Sequence, residues 1–351
     1  MNIRIDKAGN TPIFVQICNQ IRQQIRSGVL VPGERLPSMN QLAIMLDISR
    51  ETVKKAYNAL VRDNLLTAWQ GKGIYVAAKD GTRFREILVL LDKQSVYNQI
   101  ILRNFQETLE GNAHITILQH NQDVDLLEYY LTHNLDLYDY YVVSPHFPLD
   151  AQTQARATKI ISRIPARKLI MLDNWLRGIP GDYGVVYQDF RNDAAQGLAC
   201  ARADILRWGG NLKVIVLPRS LYGNLILESV KDFARETEIR LSVFRSIPET
   251  WNPGDVALVL NSQLDSGLVE LDASIRSAGL VPGKDVKIIS YNEMPLNELV
   301  MGGLTVLSTD FPAMGRTAAD MILSGTRSKV HNPFRLIRRK SFLPVPDSRS
   351  R

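Results

Sequence analysis

Apolar positions recur at helical spacing three times in the first 80 residues before the spacing changes. Phe14, Ile17, Ile21 and Ile25 mark one helix, and Gly28 ends it. After a turn-rich stretch at 31–37, Ser38 opens a second helix. Gln41, three residues on, completes a capping box, and Leu42, Ala43 and Leu46 form the inner face. Asp47-Ile48 is a short turn, and Ser49 caps a third helix. There Val53, Ala56, Tyr57 and Leu60 fall at i, i+3, i+4 and i+7, while Arg50, Lys54 and Asn58 share another face beside Glu51 and Lys55. Residues 65–70 and 73–77 then read as two short strands joined near Gly71-Lys72. Two helices joined by a tight turn, the second with cations on its open side, followed by a hairpin, describe a winged helix-turn-helix.

Beyond residue 82 the rhythm is different. Apolar runs of strand length fall at 87–91, 115–118, 140–143, 168–172, 185–187, 214–217, 241–244, 257–260 and 287–289, with stretches of helical length between them. Such alternation predicts parallel sheets covered on both faces. This is more than one doubly wound sheet holds comfortably, so the expected body is two α/β lobes. Ligands of such sheets bind at the carboxyl ends of the strands. Asp92, Ser144, Asp173 and Trp175 stand there in the first half; Gln188-Asp189, Tyr222, Asn261 and Asn292 stand there in the second. Carboxylate, amide and indole groups around a cleft suit hydroxyl-rich ligands, because polar edges pair with OH groups and an aromatic face covers C–H surface. Asn and Asp after strands also favour turns, so each has a structural reading beside the binding one.

Composition adds limits. The chain has 351 residues, 45% hydrophobic and 22% charged, as globular proteins do, which sets aside disordered and fibrous classes. No apolar run approaches the ~20 residues of a membrane span. Met1–Arg4 leads into Asp6 and Lys7 with no apolar signal region, and the two cysteines, Cys18 and Cys200, form no framework; the expectation is a reduced, cytoplasmic protein. The net charge of +6 is uneven: residues 1–80 carry 11 Lys/Arg against 6 Asp/Glu, residues 331–351 carry 6 against 1, and the remainder is net acidic. A basic head on a slightly acidic body points to nucleic acid at the head. The cations of Phe334-Arg335-Leu336-Ile337-Arg338-Arg339-Lys340 suit an edge strand facing water.

Four blocks in the head resemble the GntR family's winged helix: Pro12-Ile13-Phe14-Val15-Gln16-Ile17, Pro32-Gly33-Glu34-Arg35-Leu36-Pro37-Ser38, Ser49-Arg50-Glu51-Thr52-Val53-Lys54-Lys55-Ala56-Tyr57 and Gln70-Gly71-Lys72-Gly73-Ile74-Tyr75-Val76. The resemblance implies that Arg35 grips phosphate, and that Ser49, Arg50 and Lys54 read or position DNA at the major groove. Gln70, Gly71, Lys72 and Gly73 would enter the minor groove, and Ser38 and Thr52 are further expected contacts. Arg offers guanine a bidentate fork, whereas Lys and backbone N–H groups mostly neutralise phosphate. The implied partner is a near-palindromic double-stranded operator bound by a homodimer.

The body resembles LacI-type regulators, whose two hinged lobes share the fold of periplasmic sugar-binding proteins. Asp189-Phe190, Gly197, Ala201, Leu206 and Gly209-Gly210 look like the start of the second lobe. Val281-Pro282-Gly283-Lys284-Asp285-Val286, Ser290-Tyr291-Asn292-Glu293 and Met314-Gly315-Arg316-Thr317-Ala318-Ala319 look like its closing section. The expected organisation is therefore α/β: a winged helix-turn-helix domain at 1–78, a linker at 79–83 and a periplasmic-binding-protein-like body at 84–351. Its first lobe would cover about 84–183 plus 310–328, and its second about 184–309 plus 329–345. The resemblance implies effector contacts at Asn261, Asn292 and Asp173, which Trp175, Asp189 and Tyr222 join from their positions. Two departures stand out: no arginine occupies Leu227-Glu228-Ser229-Val230-Lys231, where the family grips sugar hydroxyls, and Asn292 replaces a common acidic residue.

No enzymatic constellation assembles. The five histidines lack metal-ligand spacing, and there is no GxSxG elbow, P-loop or zinc-type cysteine pair, so neither catalytic residues, a metal nor a cofactor is expected. Some GntR proteins carry an aminotransferase-like body with a pyridoxal-phosphate lysine, but roughly 270 residues is short for one. The expected function is a transcription regulator controlled by a monosaccharide or sugar phosphate. A non-sugar metabolite, a ligand-free dimerising body and a sugar-transport component remain as alternatives.

Overall fold

The computed structural model describes residues 1–9, 11–69, 73–77, 85–109, 113–216, 221–260 and 266–344. The expected linker at 79–83 and the wing tip at 70–72 lie outside them. The chain divides into two compact units, Met1–Arg83 and Phe84–Arg351. No helix among the described residues is long and apolar enough to cross a membrane.

The head contains α1 (Ile13–Arg26), α2 (Met39–Leu46), α3 (Arg50–Arg62) and an antiparallel hairpin of β1 (Leu66–Trp69) and β2 (Gly73–Val76). The Ser38–Gln41 capping box forms, and Ser49 caps α3 by accepting from Thr52 N. Ile17, Ile21, Leu42, Val53, Ala56, Tyr57 and Leu60 fill the core at 0% exposure, while the periodic positions Phe14, Ile25 and Leu46 pack partly buried at its edge. The Tyr57 hydroxyl donates to the Pro37 carbonyl across 2.9 Å, tying α3 to the connection ahead of α2.

The body begins with β3 (Arg85–Leu91), α4 (Val96–Thr108), β4 (Ala113–Gln119), α5 (Val124–Asn134), β5 (Tyr140–Val143), α6 (Ala151–Ile161), β6 (Leu169–Asp173) and β7 (Gly184–Tyr187). It continues with α7 (Asp193–Ala199), α8 (Arg202–Arg207), β8 (Asn211–Ile215), α9 (Gly223–Arg235), β9 (Arg240–Phe244), β10 (Asp255–Val259), α10 (Ser266–Ser277) and β11 (Lys287–Tyr291). It closes with β12 (Thr305–Thr309), α11 (Phe311–Ser324), β13 (Lys329–His331) and β14 (Phe334–Ile337). One six-stranded sheet, parallel throughout, runs β13-β7-β6-β5-β3-β4. The other runs β14-β12-β11-β10-β8-β9, with only β14 antiparallel. Helices cover both faces: Ile87, Val89 and Leu91 pack with Ile101, Phe105 and Met314 of α4 and α11, while Leu88 and Leu90 pack with Leu127, Leu131 and Ile160 of α5 and α6.

The lobe boundary differs from the expectation. Residues 184–187 and 329–331 are expected in the second lobe, yet Gly184 pairs with Ile170 and Lys329 with Val185, so both strands complete the first-lobe sheet. The chain crosses over after β7, and β13 returns to flank it before β14 joins the second sheet. A short apolar run such as Val185-Val186 suits a parallel strand of either sheet, so local pattern does not decide its partner.

The tightest helix contact sets a prediction. A Cβ built on Gly315 of α11 would lie 2.3 Å from the Ile101 carbonyl oxygen of α4, a backbone atom that has no rotamer by which to yield. Gly315→Ala should cost about 1–3 kcal/mol of body stability through overpacking, seen as a lower Tm on thermal unfolding; an unchanged Tm would contradict this packing.

Candidate DNA-binding face and interlobe site

On the head, the expected DNA residues fall into small groups. Ser49 Oγ lies 3.1 Å from Thr52 N and 2.7 Å from Thr52 Oγ1, at the exposed N-terminus of α3. Arg50 is exposed beside them, and Lys54 pairs loosely with Glu51 at 3.3 Å. Ser38 caps α2. Arg35 bridges to Tyr75 and lays its guanidinium against Gly73, where a Cβ would stand 3.0 Å from Nε, so the wing and the α2 connection meet through a glycine at φ +116. Gln70, Gly71 and Lys72 lie outside the described residues. Lys55 sits 4.2 Å over the Phe14 ring and belongs to packing between helices. An open helix N-terminus flanked by cations offers N–H groups and positive charge to phosphate.

In the body, the carboxyl edge of the first sheet gathers polar groups in strand order: Gln188 after β7, Asp173 ending β6, Ser144 after β5, Asp92 after β3 and His120 after β4. All but Asp173 are nearly or fully buried. His146, just past β5, occupies the centre. Its Nε2 lies 2.9 Å from Asp173 Oδ2, and its Nδ1 lies 2.8 Å from the hydroxyl of Tyr222, which precedes α9 in the second lobe. The Tyr222 ring stacks on Phe190 with centroids 3.9 Å apart. Gln188 Nε2 donates to Asp173 Oδ1, and Asn98 Nδ2 donates to Asp92 Oδ1 at 2.9 Å.

Burial is the largest single effect on His146 and works against charge, but the Asp173 hydrogen bond and the negative charges of Asp173 and Asp92 together outweigh it, and the net shift is toward the imidazolium. An imidazolium donates from both nitrogens, which matches a carboxylate on one side and a phenol oxygen on the other. His120 is the opposite case: burial pushes it down to about 4, and its Nε2 lies 3.0 Å from the Ser144 carbonyl. Neutral and donating from Nε2, it leaves Nδ1 as an acceptor. His120 Nδ1, Ser144 Oγ, Gln188 Oε1 and Asn292 Oδ1 are buried and meet no hydrogen-bond partner among the described residues. Asp173 ends β6 and Asn292 directly follows β11, equivalent strands of the two sheets, and both take φ +71, a conformation their short side chains tolerate.

The other expected effector residues are placed differently. Asp189 accepts from Arg191 N and Asn192 Nδ2 and so shapes the turn into α7. Trp175 packs on Tyr187 and carries the Arg177 guanidinium 3.8 Å over its ring. Lys231 pairs with Glu228 on the outer side of α9 at 2.7 Å. Asn261 lies outside the described residues. The C-terminal cations are paired within the second lobe's surroundings: Arg335 with Asp310, Arg338 with Asp204 and Arg339 with Glu293. His146 and His120 are the site residues that sequence reasoning missed. The signal of His146 was position, three residues past the end of β5 behind Ser144-Pro145, rather than metal-ligand spacing. Among the described residues no group of three His, Cys, Asp or Glu side chains could hold a metal ion.

The fold and site define a regulator class: a winged DNA-binding head and a two-lobed body with a polar junction between its lobes. The family described as "Bacterial regulatory proteins, gntR family" matches residues 14–76. The HTH-type transcriptional repressor YtrA of Bacillus subtilis (strain 168) is 30% identical over 122 residues, covering 35% of this chain and 94% of that protein. The chain belongs to the GntR family. It spans only 28% and 40% of the length of two further relatives. In structure, the body is similar to the trehalose repressor from Escherichia coli (TM-score 0.56, 12% identity, 72% of this chain and 99% of that one). The lac repressor bound to ONPG superposes with TM-score 0.57 at 16% identity, over 84% of this chain and 91% of that one. These likenesses confirm the expected two-lobed fold.

The two histidines titrate in separate pH windows. His120 stays neutral in the fold while the unfolded chain takes up its proton near 6.5, so stability falls as pH drops from 6.5 toward 4. His146, shifted upward, contributes stability that is complete below 6.5 and is lost as pH rises through its folded value. His120→Gln should flatten the acid limb of a Tm-against-pH profile, by up to about 1.4 kcal/mol per pH unit, and leave the alkaline limb in place. A variant profile parallel to the wild type would contradict the assignment.

Proposed function

We propose that this protein is a transcription regulator whose DNA affinity is set by a small, hydroxyl-rich molecule held between the lobes of its body. The observation that carries the reading is the buried junction at His146, where one imidazole touches both lobes beside acceptor atoms that the described protein leaves unpaired. His120 Nδ1, Gln188 Oε1, Asn292 Oδ1 and the Asp92 and Asp173 carboxylates all accept hydrogen bonds. A lining of acceptors asks for a ligand rich in donors, and a sugar's hydroxyls supply them; a phosphate group brings only more acceptors and charge. The body's likeness in fold to the trehalose repressor agrees with a sugar.

The protein acts as a cytoplasmic homodimer that sets two winged heads on a near-palindromic operator, and it performs no catalysis. In this reading Arg35, Ser38, Ser49, Arg50, Thr52, Lys54 and the wing residues 70–73 form the DNA contacts. Asp173, Tyr222 and Asn292, with His146, Ser144, Gln188, Asp92 and His120, form the effector site. Ligand closure of the lobes changes how well the heads fit their half-sites.

Thermal unfolding of the full chain against free mono- and disaccharides and their phosphates tests the effector. A true ligand at ~100 times its Kd adds about 2.7 kcal/mol. Ser144→Ala removes an unpaired buried hydroxyl, so it should leave the ligand-free Tm unchanged or higher while shrinking the sugar-induced shift. A full-sized shift in that variant would remove Ser144 from the site, and a silent panel would favour a non-sugar ligand or a purely dimerising body.

Lys54→Ala should weaken binding to duplexes of any sequence and flatten the salt dependence, as a phosphate contact does. Arg50→Ala should cost about 1–3 kcal/mol on the cognate site and far less on arbitrary DNA. Equal losses of Arg50→Ala on both would contradict base reading.

A further inference from the structure

The first nine residues are bound to the head by an unusual device. Gln16, Gln20 and Gln24 stand one helical step of four apart on α1, and each side-chain amide closes a two-way pair with the backbone of an extended arm. Gln24 Oε1 accepts from Asn2 N while its Nε2 donates to Asn2 O; Gln20 does the same with Arg4, at 2.9 and 2.6 Å; Gln16 does so with Asp6, at 2.9 Å each way. The spacing matches because four helical residues rise about 6 Å and two extended residues span about 6.6 Å. Met1, Ile3 and Ile5, the alternate residues, turn toward the head core. The arm is thereby held like a strand paired to a helix.

Where it ends matters. The Asp6 carboxylate accepts from Ala8 N and Gly9 N and turns the chain. Lys7 then reaches Asp47, with Nζ 2.7 Å from Oδ2 and 3.0 Å from the backbone carbonyl. Asp47 is the left-handed C-cap of α2, two residues before Ser49, and its side chain is 95% exposed. A bare carboxylate at this corner would face the phosphates that the N-terminus of α3 approaches.

We propose that Lys7 is a DNA-contacting residue of the head: it neutralises Asp47 and presents its ammonium to the phosphate beside the N-terminus of α3, with Gln16, Gln20 and Gln24 as the residues that position it. This rests on the reading that the α3 face docks on DNA. An exposed ion pair contributes little to folding, so the pair's worth lies in the charge it places at the interface. The pinned arm spares the ordering that a loose cationic tail would need on binding.

The test is binding of the full chain to a labelled duplex of arbitrary sequence across a KCl series, with Lys7→Ala, Asp47→Asn, the double variant, Gln20→Leu and Lys54→Ala. Lys7→Ala should lower the slope of log K against log[salt] by about 0.9 per bound head. Gln20→Leu should lower it in the same direction, by releasing the arm. Asp47→Asn should bind as well as wild type or better, and should restore affinity when added to Lys7→Ala. A wild-type slope in Lys7→Ala, with Lys54→Ala reduced, overturns the proposal alone; wild-type slopes in both overturn the docking reading with it. Equal weakening by Lys7→Ala, Asp47→Asn and the pair together would make Lys7 a structural latch and also overturn it. Should Lys7→Ala lower the Tm of the head, Lys7→Met keeps the aliphatic stem and takes its place, with the same slope expected.

Discussion

A buried imidazole joins the halves of the body. His146 belongs to the first lobe, has its pKa raised by the Asp173 carboxylate that lies against it, and shares a hydrogen bond with the Tyr222 hydroxyl of the second. Burying a charged group is costly unless it is paired and hydrogen-bonded on every side, and here the partners come from both lobes. The pairing of the lobes and the protonation of His146 are therefore linked: separate Tyr222 and the imidazole loses an acceptor; neutralise Asp173 and it loses the reason for its proton. Around this junction three unpaired atoms, His120 Nδ1, Gln188 Oε1 and Asn292 Oδ1, are acceptors, beside the Ser144 hydroxyl, which can also donate. On the proposed reading, a ligand rich in donors would complete that set at the place where the lobes already touch.

The head is built on a different economy. Its helices are closed by side-chain caps at Ser38 and Ser49 and by the Tyr57–Pro37 bond, and its N-terminal arm is fastened by three glutamines rather than by burial alone. Such local closure suits a module that must present a fixed recognition surface. The arm also extends that surface, since it delivers a cation to the corner between α2 and α3. Arg35 and Gly73 do the same for the wing: the glycine makes room for the guanidinium, and the two elements are set against each other by that contact.

Much of this was legible in the chain. The cap residues, the inner faces of α2 and α3 and the strand rhythm of the body are local patterns, and local patterns survive folding where they agree with the global packing. What escaped was non-local. The place of 184–187 in the first sheet depends on partners at 170–173, and that of 329–331 on partners at 185–187, which an apolar run cannot name. His146 looked like one of five scattered histidines because its second-lobe partner is 76 positions away. The roles of Gln16, Gln20 and Gln24 were not legible, since nothing in their own helix reveals an extended strand lying across it. Asp189 and Trp175 were at strand ends as expected, yet turn geometry and ring packing claimed them. On α9, where the family's arginine is absent, Lys231 pairs with Glu228, and the polar groups gathered at the junction come chiefly from the first lobe.

The central claim is that the interlobe site and the DNA-binding head exchange free energy. The direct measurement is the affinity of the full chain for an operator selected from genomic fragments, taken with and without the compound that raises its Tm. The account predicts a change of roughly 5–150-fold, matched by an equal change in the compound's affinity when operator is present, because coupling between binding sites is reciprocal. Identical operator affinities at saturating compound would contradict it.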